Sequence, residues 1–172
     1  LFFRSFTLNM IYSKKLQTYV PVKVESKSQY LTGFGNFTMY TIKDDKITVG
    51  KVDIQDTLTG IHVEYIENKQ PQLYSGFGKL ADQLEVEHCM KRGLTHFDII
   101  SEAGLNSHAL HYLRGKRFFS EEAEEKIREV IAKTPKGEMF NTKFLGKIRM
   151  YMPLELIDKY IEIIKKKPLI LK

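Results

Sequence analysis

The stretch QLYSGFGKLADQLEVEHCMKRG, residues 72–93, sets two glycines one residue apart in front of an apolar helical stripe. A loop that opens a helix leaves backbone N–H groups unpaired and pointing outward. A phosphate satisfies several of them at once, helped by the positive end of the helix dipole. Gly76 and Gly78 permit a sharp turn and a close approach to the backbone, and Tyr74 through Lys79 span such a nest. The same residues also read as a tight turn into a helix, because a Gly-Lys-Ser/Thr ending and a third fingerprint glycine are both missing. A second chemistry stands upstream in GIHVEYIE, where His62 and Glu64 are two residues apart. Period two on a strand sends both to one face, and Ile61, Val63 and Tyr65 to the core. Imidazole ordinarily exchanges protons near neutral pH.

These residues need elements to hold them. TYVPVKVE (18–25) alternates like a strand, whereas RSFTLNMIYSKKLQ before it fits a short helix or a strand equally. NFTMYTIKDDKITVGKVDI predicts two strands joined at Lys43-Asp44-Asp45-Lys46. Gly33-Phe34-Gly35 reads as a hairpin or active-site loop. After Gly78 the period changes, and Leu80, Ala81, Leu84 and His88 share a helical face that stops at Arg92-Gly93. THFDIIS (95–101) is the next strand, and residues 106–117 form a short helix capped by Asn106. Acids at the start of FFSEEAEEKIREVIAK suit a helix N-terminus. A strand near 144–151 and a terminal helix opened by Pro153, with the stripe Ile157, Tyr160, Ile161 and Ile164, complete the order. The expectation is one α/β or α+β domain over residues 1–172.

Composition narrows the function classes. Apolar residues make up 42% and charged ones 28%, ordinary for a globular protein. No window approaches a membrane span, and the opening lacks a basic-apolar-small signal, so a cytoplasmic location without membrane contact is expected. Cys89 alone makes no internal disulfide, and its helical context predicts a packed thiol. No His/Cys cluster has metal-ligand spacing, so no metal is expected. Against 21 acids stand 27 Lys and Arg, a net +6 spread along the chain. Without a clustered basic face or a recognition-helix signature, nucleic acid ranks last among partners.

Two blocks carry a resemblance. YSGFGKLADQLEVEHCMKRG followed by FDIISEAGLNSHALHYLRGKRF is similar to the core of the GCN5-related N-acetyltransferase superfamily. That family has Gln/Arg-x-x-Gly-x-Gly/Ala before a long helix, then a strand leading to an Asn, an Ala and a Tyr at three-residue steps. Here these are Gly76 and Gly78, then Asn106, Ala109 and Tyr112, with Gly115 and Phe118 closing the block. Leu73 stands where the family has Gln or Arg, and Lys116 and Arg117 separate a usually contiguous Gly-Phe. The resemblance covers about residues 37–119, and residues 120–172 form an extension that completes the sheet, closes the acceptor side or makes a homodimer.

The resemblance implies a mixed, mainly antiparallel twisted sheet flanked by helices, with a splayed central strand pair. It implies acetyl-CoA as cofactor and acetyl transfer to a primary amine, on a small molecule or a protein, by direct attack on the thioester. Backbone amides of Leu73, Tyr74, Ser75, Gly76, Phe77, Gly78 and Lys79 would hold the pyrophosphate. Val63, Tyr65 and Ile66 would splay from the strand around Ile99 to Ser101 and expose backbone to the pantetheine arm. Asn106 would orient the cofactor or its helix. Tyr112 would face the sulfur and protonate the departing thiolate, and Glu64 or His62 would take the amine proton. His108 is expected on a helix exterior, and His88 packed. A competing reading keeps the fold without the reaction, as an inactive CoA-binding or protein-interaction module.

Overall fold

The computed structural model describes residues 5–7, 9–104, 106–167 and 169–171. Arg4 and Leu8 of the ambiguous N-terminal segment lie outside them. The rest of that segment settles as strands β1 (Ser5–Thr7) and β2 (Asn9–Ser13), followed by a turn at residues 14–17. Alternation decides β2, where Asn9, Ile11 and Ser13 are buried in turn. β3 runs over Thr18–Leu31, longer than the alternation at 18–25 predicts. It turns through Gly33 and Gly35, at φ 84° and 92°, into β4 (Gly35–Asp44). Asp45, at φ 53°, makes the expected hairpin into β5 (Ile47–Asp56).

β6 (Gly60–Asn68) follows, then a two-residue β7 (Tyr74–Ser75), helix α1 (Phe77–Lys91) and β8 (Asp98–Ala103). Helix α2 (His108–Leu113) is shorter than expected, and a two-residue β9 (Arg117–Phe118) succeeds it. In α3 (Glu121–Lys133) the Ser120 hydroxyl accepts from the Ala123 amide, and Glu121, Glu122 and Glu124 fill the first turn. A single 3-10 turn at Lys143–Leu145 leads to β10 (Ile148–Tyr151), α4 (Leu154–Lys166) and β11 (Leu169–Leu171).

Nine strands pair in the order β7-β2-β3-β4-β5-β6-β8-β10-β9, and β1 pairs separately with β11. Among the described residues every pairing is antiparallel except β6 with β8, the two strands that α1 connects. Parallel neighbours need such a crossover. The late strand β10 slots between β8 and β9, so residues beyond Phe119 enter the sheet itself.

The sheet has one covered face. Tyr40, Ile42, Val52, Ile54, Ile61, Val63 and Ile99 pack with α1 and with Ile157, Tyr160 and Ile164 of α4. Ala103, Phe118 and Met150 continue that face under Ala109 of α2 and Ala123 and Ile127 of α3. Helix α1 is buried nearly all round, polar residues included. Its far end is tied down by Arg92, whose guanidinium donates to the carbonyls of Gly60 and Thr57. His88, packed as expected, accepts a hydrogen bond from the Tyr40 hydroxyl at Nδ1 and meets Asp56 through Nε2, both at 2.6 Å. Those bonds join α1 to β4 and to the end of β5.

Phe77 seals the other end of α1 beneath β5. A Cβ on Gly50 would stand 2.5 Å from the Phe77 ring and 2.3 Å from the Glu67 carbonyl oxygen. Because strand backbone as well as ring must shift, Gly50→Ala is expected to lower stability by about 1–3 kcal/mol. Urea denaturation measures it, and an unchanged midpoint would refute this packing account.

Candidate functional site

A β-bulge in β6 shapes the open face of the sheet. Ile54 pairs with Val63 but Asp53 pairs with Tyr65, so Glu64 is the extra residue. An inserted residue reverses the facing of everything after it. Ile61 and Val63 are buried as expected, whereas Tyr65 turns out to the open face at 45% exposure. The expected core-facing Tyr65 is therefore corrected by the bulge, and the half-buried Ile66, opposite Val52, takes the core side instead.

His62 and Glu64 meet on this open face, with His62 Nδ1 2.7 Å from Glu64 Oε1. A carboxylate can only accept, so Nδ1 carries the proton and Nε2 holds a lone pair. Nε2 is buried without a hydrogen-bond partner among the described residues, and Glu102 of β8 stands 3.8 Å away. Asp53 and Glu64 line a groove of about 800 Å³ on the same face.

Just past His62 the sheet opens. Pairing between β6 and β8 runs from Gly60–Asp98 to Val63–Ser101 and stops, while β6 continues to Asn68 and β8 to Ala103. This is the expected splayed pair. Because α1 returns antiparallel between parallel strands, its N-terminus lies at their carboxyl ends, where open α/β sheets place ligands.

That N-terminus is built on glycine. Gly76, at φ 84°, is the residue before the helix, with open space where a Cβ would stand. The Leu73 and Tyr74 amides both donate to the Gln70 carbonyl, and Ser75 pairs with Tyr12 of β2. A tight turn at 70–74 thus consumes the Leu73 and Tyr74 amides, so those two donors drop out of the expected nest of Leu73 through Lys79. Tyr74 also buries its ring and donates its hydroxyl to Asp44 at 2.6 Å, so burial and that carboxylate push the phenol up to about 12.

Arg114 lies against Gly78, where a Cβ would stand 2.6 Å from Nη1. Its Nε donates to Asp82 at 2.9 Å, and Nη2 approaches His111 Nδ1 at 2.9 Å. Lys116, wholly buried, sits 2.8 Å from Glu85, 3.3 Å from Asp82 and 3.3 Å from the Ser101 hydroxyl. Burial opposes charge on Asp82, but Lys116 and Arg114 outweigh it and hold the carboxyl below its ordinary range. Burial, with Asp82 adding to it, raises Glu85 to about 7 against the pull of Lys116. Burial beside Lys116 and Arg114 lowers His111 to about 3, keeping its ring neutral. Asp82 and Glu85 share a helix face by their i, i+3 spacing, the one sequence signal for this cluster.

The expected residues of α2 form a separate group. Asn106 does not cap the helix: Ser107 precedes it, and the Asn106 side-chain Oδ1 accepts from the Thr142 backbone amide at 3.1 Å. His108, expected outside, is wholly buried between the Thr142 hydroxyl and the Gly146 carbonyl, because the 139–146 segment folds over it. Tyr112 stacks on Phe118 with the Arg117 guanidinium 4.4 Å above its ring, and its hydroxyl accepts from Arg128 at 3.0 Å. Cys89 is buried, and burial pushes its thiol up to about 12. Among the described residues no group of His, Cys, Asp and Glu is placed to hold a metal.

No protein-family model and no curated protein matches this chain. Among solved structures it is similar to an IAA acetyltransferase from Bacillus cereus, at 18% identity and TM-score 0.48 over 77% of this chain and 100% of that one. A Bacillus subtilis acetyltransferase in complex with CoA aligns at 17% identity and TM-score 0.48, covering 77% and 99%. Nourseothricin acetyltransferase aligns at 20% and 0.44, covering 87% and 86%. Overlaps of this size leave the chemistry to be derived from the residues of this chain.

The ion cluster titrates in a defined direction. Glu85 rises from 4.5 to about 7 on folding, so its stabilisation is full below pH 4.5 and is lost as pH climbs through 7. His111 works the other way below pH 6.5 and cancels in a comparison of wild type with Glu85→Gln. The stability of wild type relative to Glu85→Gln is expected to fall between pH 4.5 and 8. Guanidinium denaturation across that range reads it, and a constant difference would show that Glu85 does not titrate there.

Proposed function

We propose that this chain is an acetyl-CoA-dependent N-acetyltransferase of the kind its sequence resembles, acting on a primary amine. The observation that carries the reading is the end of β6–β8 pairing at Val63–Ser101, beside His62–Glu64 and at the strand ends that face the α1 N-terminus. The open glycine turn, the positive end of α1 and the cations Lys79 and Arg114, the latter paired through Nε with Asp82 and turning Nη1 toward Gly78, suit an anion there. The first-turn amides of residues 77–79 and Arg114 would hold the CoA pyrophosphate, and unpaired strand edges past Val63 would receive its arm. Bound there, acetyl-CoA supplies an activated acyl thioester.

The chain's own residues do the rest. Glu64 fixes the His62 tautomer by accepting from Nδ1, so Nε2 takes the proton of the incoming amine. His62 is thus the base and Glu64 its positioning partner. Tyr112 accepts from Arg128 and retains its own hydroxyl proton to give to a thiolate. Backbone N–H groups beside the bulge serve the developing oxyanion. The cytoplasm is the proposed compartment, and a small-molecule or protein amine the proposed partner.

Calorimetric titration with acetyl-CoA and desulfo-CoA tests the cofactor. Asn and Asp both tolerate a left-handed backbone and differ in charge, so Gly76→Asn should retain binding while Gly76→Asp weakens it roughly tenfold or more. No binding by wild type up to millimolar ligand would make the glycine turn purely structural. In an amine screen, His62→Gln should cut kcat/KM by about 100-fold and Tyr112→Phe by about 10-fold or more. Unchanged rates in both would remove these roles while leaving the cofactor site in place.

A further inference from the structure

The groove on the open sheet face has a chemistry of its own. It runs from the β3–β4 turn across β4 and β5 to the bulge in β6, with Leu31, Phe34 and Phe37 toward the turn, Asp53 and Glu64 toward the bulge, and Met39 directly opposite Asp53. Phe34 is 68% exposed and Met39 41%, apolar surface that the four helices, all on the opposite face, leave uncovered. Asp53 Oδ1 is buried at the groove floor with no hydrogen-bond partner among the described residues. An acceptor oxygen removed from water without a donor is unfavourable, more so when charged, and a bound cation offsets that cost.

We infer that this groove binds a monocationic amine carrying an apolar body, its ammonium held by Asp53 and Glu64 and its body against Phe34, Phe37 and Met39. Three features select this class over other cations. The acids sit at one end only, so a single charge is recognised. Lys27 lines the groove as well and repels a second positive group, which disfavours polyamines. Aromatic and thioether walls reward an apolar body by removing it from water. Burial holds the Asp53 carboxyl above its ordinary range, with Lys51 opposing and the Glu64 charge adding to the rise, as expected for a site short of one cation.

The groove ends where the reaction is proposed. Glu64 both lines it and fixes His62, so an ammonium at Asp53 and Glu64 lies beside the base that would deprotonate it. This inference rests on the acetyltransferase reading for its purpose, but not for the binding itself.

The test is equilibrium binding to the full chain, by calorimetry or ligand-observed NMR, of 4-phenylbutylamine, 4-phenylbutan-1-ol and spermidine, with free CoA titrated in a separate arm. The phenylalkylamine should bind saturably and roughly tenfold or more tighter than the alcohol or spermidine. Asp53→Asn should collapse the amine-over-alcohol preference. Phe34→Ala, on an exposed turn, should weaken both phenyl ligands severalfold and leave their ratio intact. Equal binding of amine and alcohol to wild type, or tighter spermidine, overturns the proposal, and so does an unchanged ratio in folded Asp53→Asn. Should Asp53→Asn fail to fold, the wild-type ratio and Phe34→Ala still decide. CoA binding without amine binding sinks the groove and spares the acetyltransferase reading; amine binding without CoA binding does the reverse.

Discussion

Lys116 is the wholly buried cation on which the arrangement turns. It joins Glu85 and Asp82 of α1 to Ser101 of β8, and Arg114 completes the cluster from the same connection between α2 and β9. Taking such charges out of water is costly, and the cost is recovered only where geometry is tight and partners are several. An apolar core would pack α1 against β8 as well. What it could not do is set one guanidinium against Gly78 at the mouth of α1. The cluster thus couples burial to placement: the electrostatics that keep α1 in register also fix a positive charge where the proposed anion lies.

The two faces of the sheet divide the labour. Helices seal one side with aliphatic residues, and the other carries His62, Glu64, Tyr65, Asp53 and Glu102 around open strand edges. The inserted Glu64 links them. By adding one residue to β6 it puts two consecutive side chains, Glu64 and Tyr65, on the open side, next to where pairing with β8 ends. A regular strand would turn one of them inward.

Much of this was legible in the sequence. The 3.6-residue stripe from Leu80 and the stop at Gly93 mark α1, and the acidic first turn after Ser120 marks α3. The hairpin at residues 43–46 and the same-face pair His62–Glu64 follow from period two alone. What escaped depends on partners distant along the chain. Tyr65 faces outward because of a register shift against β5 that has no compositional mark. His108 is buried because Thr142 and Gly146 fold over it, and no local pattern announces them. Asp82 and Glu85 of α1 are buried against Lys116, which arrives from beyond α2. Local periodicity, in short, finds elements, whereas charge pairing across the chain sets which of their faces is inside.

Strand β10 carries a consequence for how the chain comes together. A polypeptide made from its N-terminus delivers β8 and β9 well before β10, yet β10 lies between them. Until it arrives, β8 has an open edge on that side, a template for any other extended segment. The pairing that heals this edge is long-range in sequence and therefore slow to form. During synthesis the half-built sheet is accordingly at its stickiest, and it is relieved when Ile148–Tyr151 threads into place.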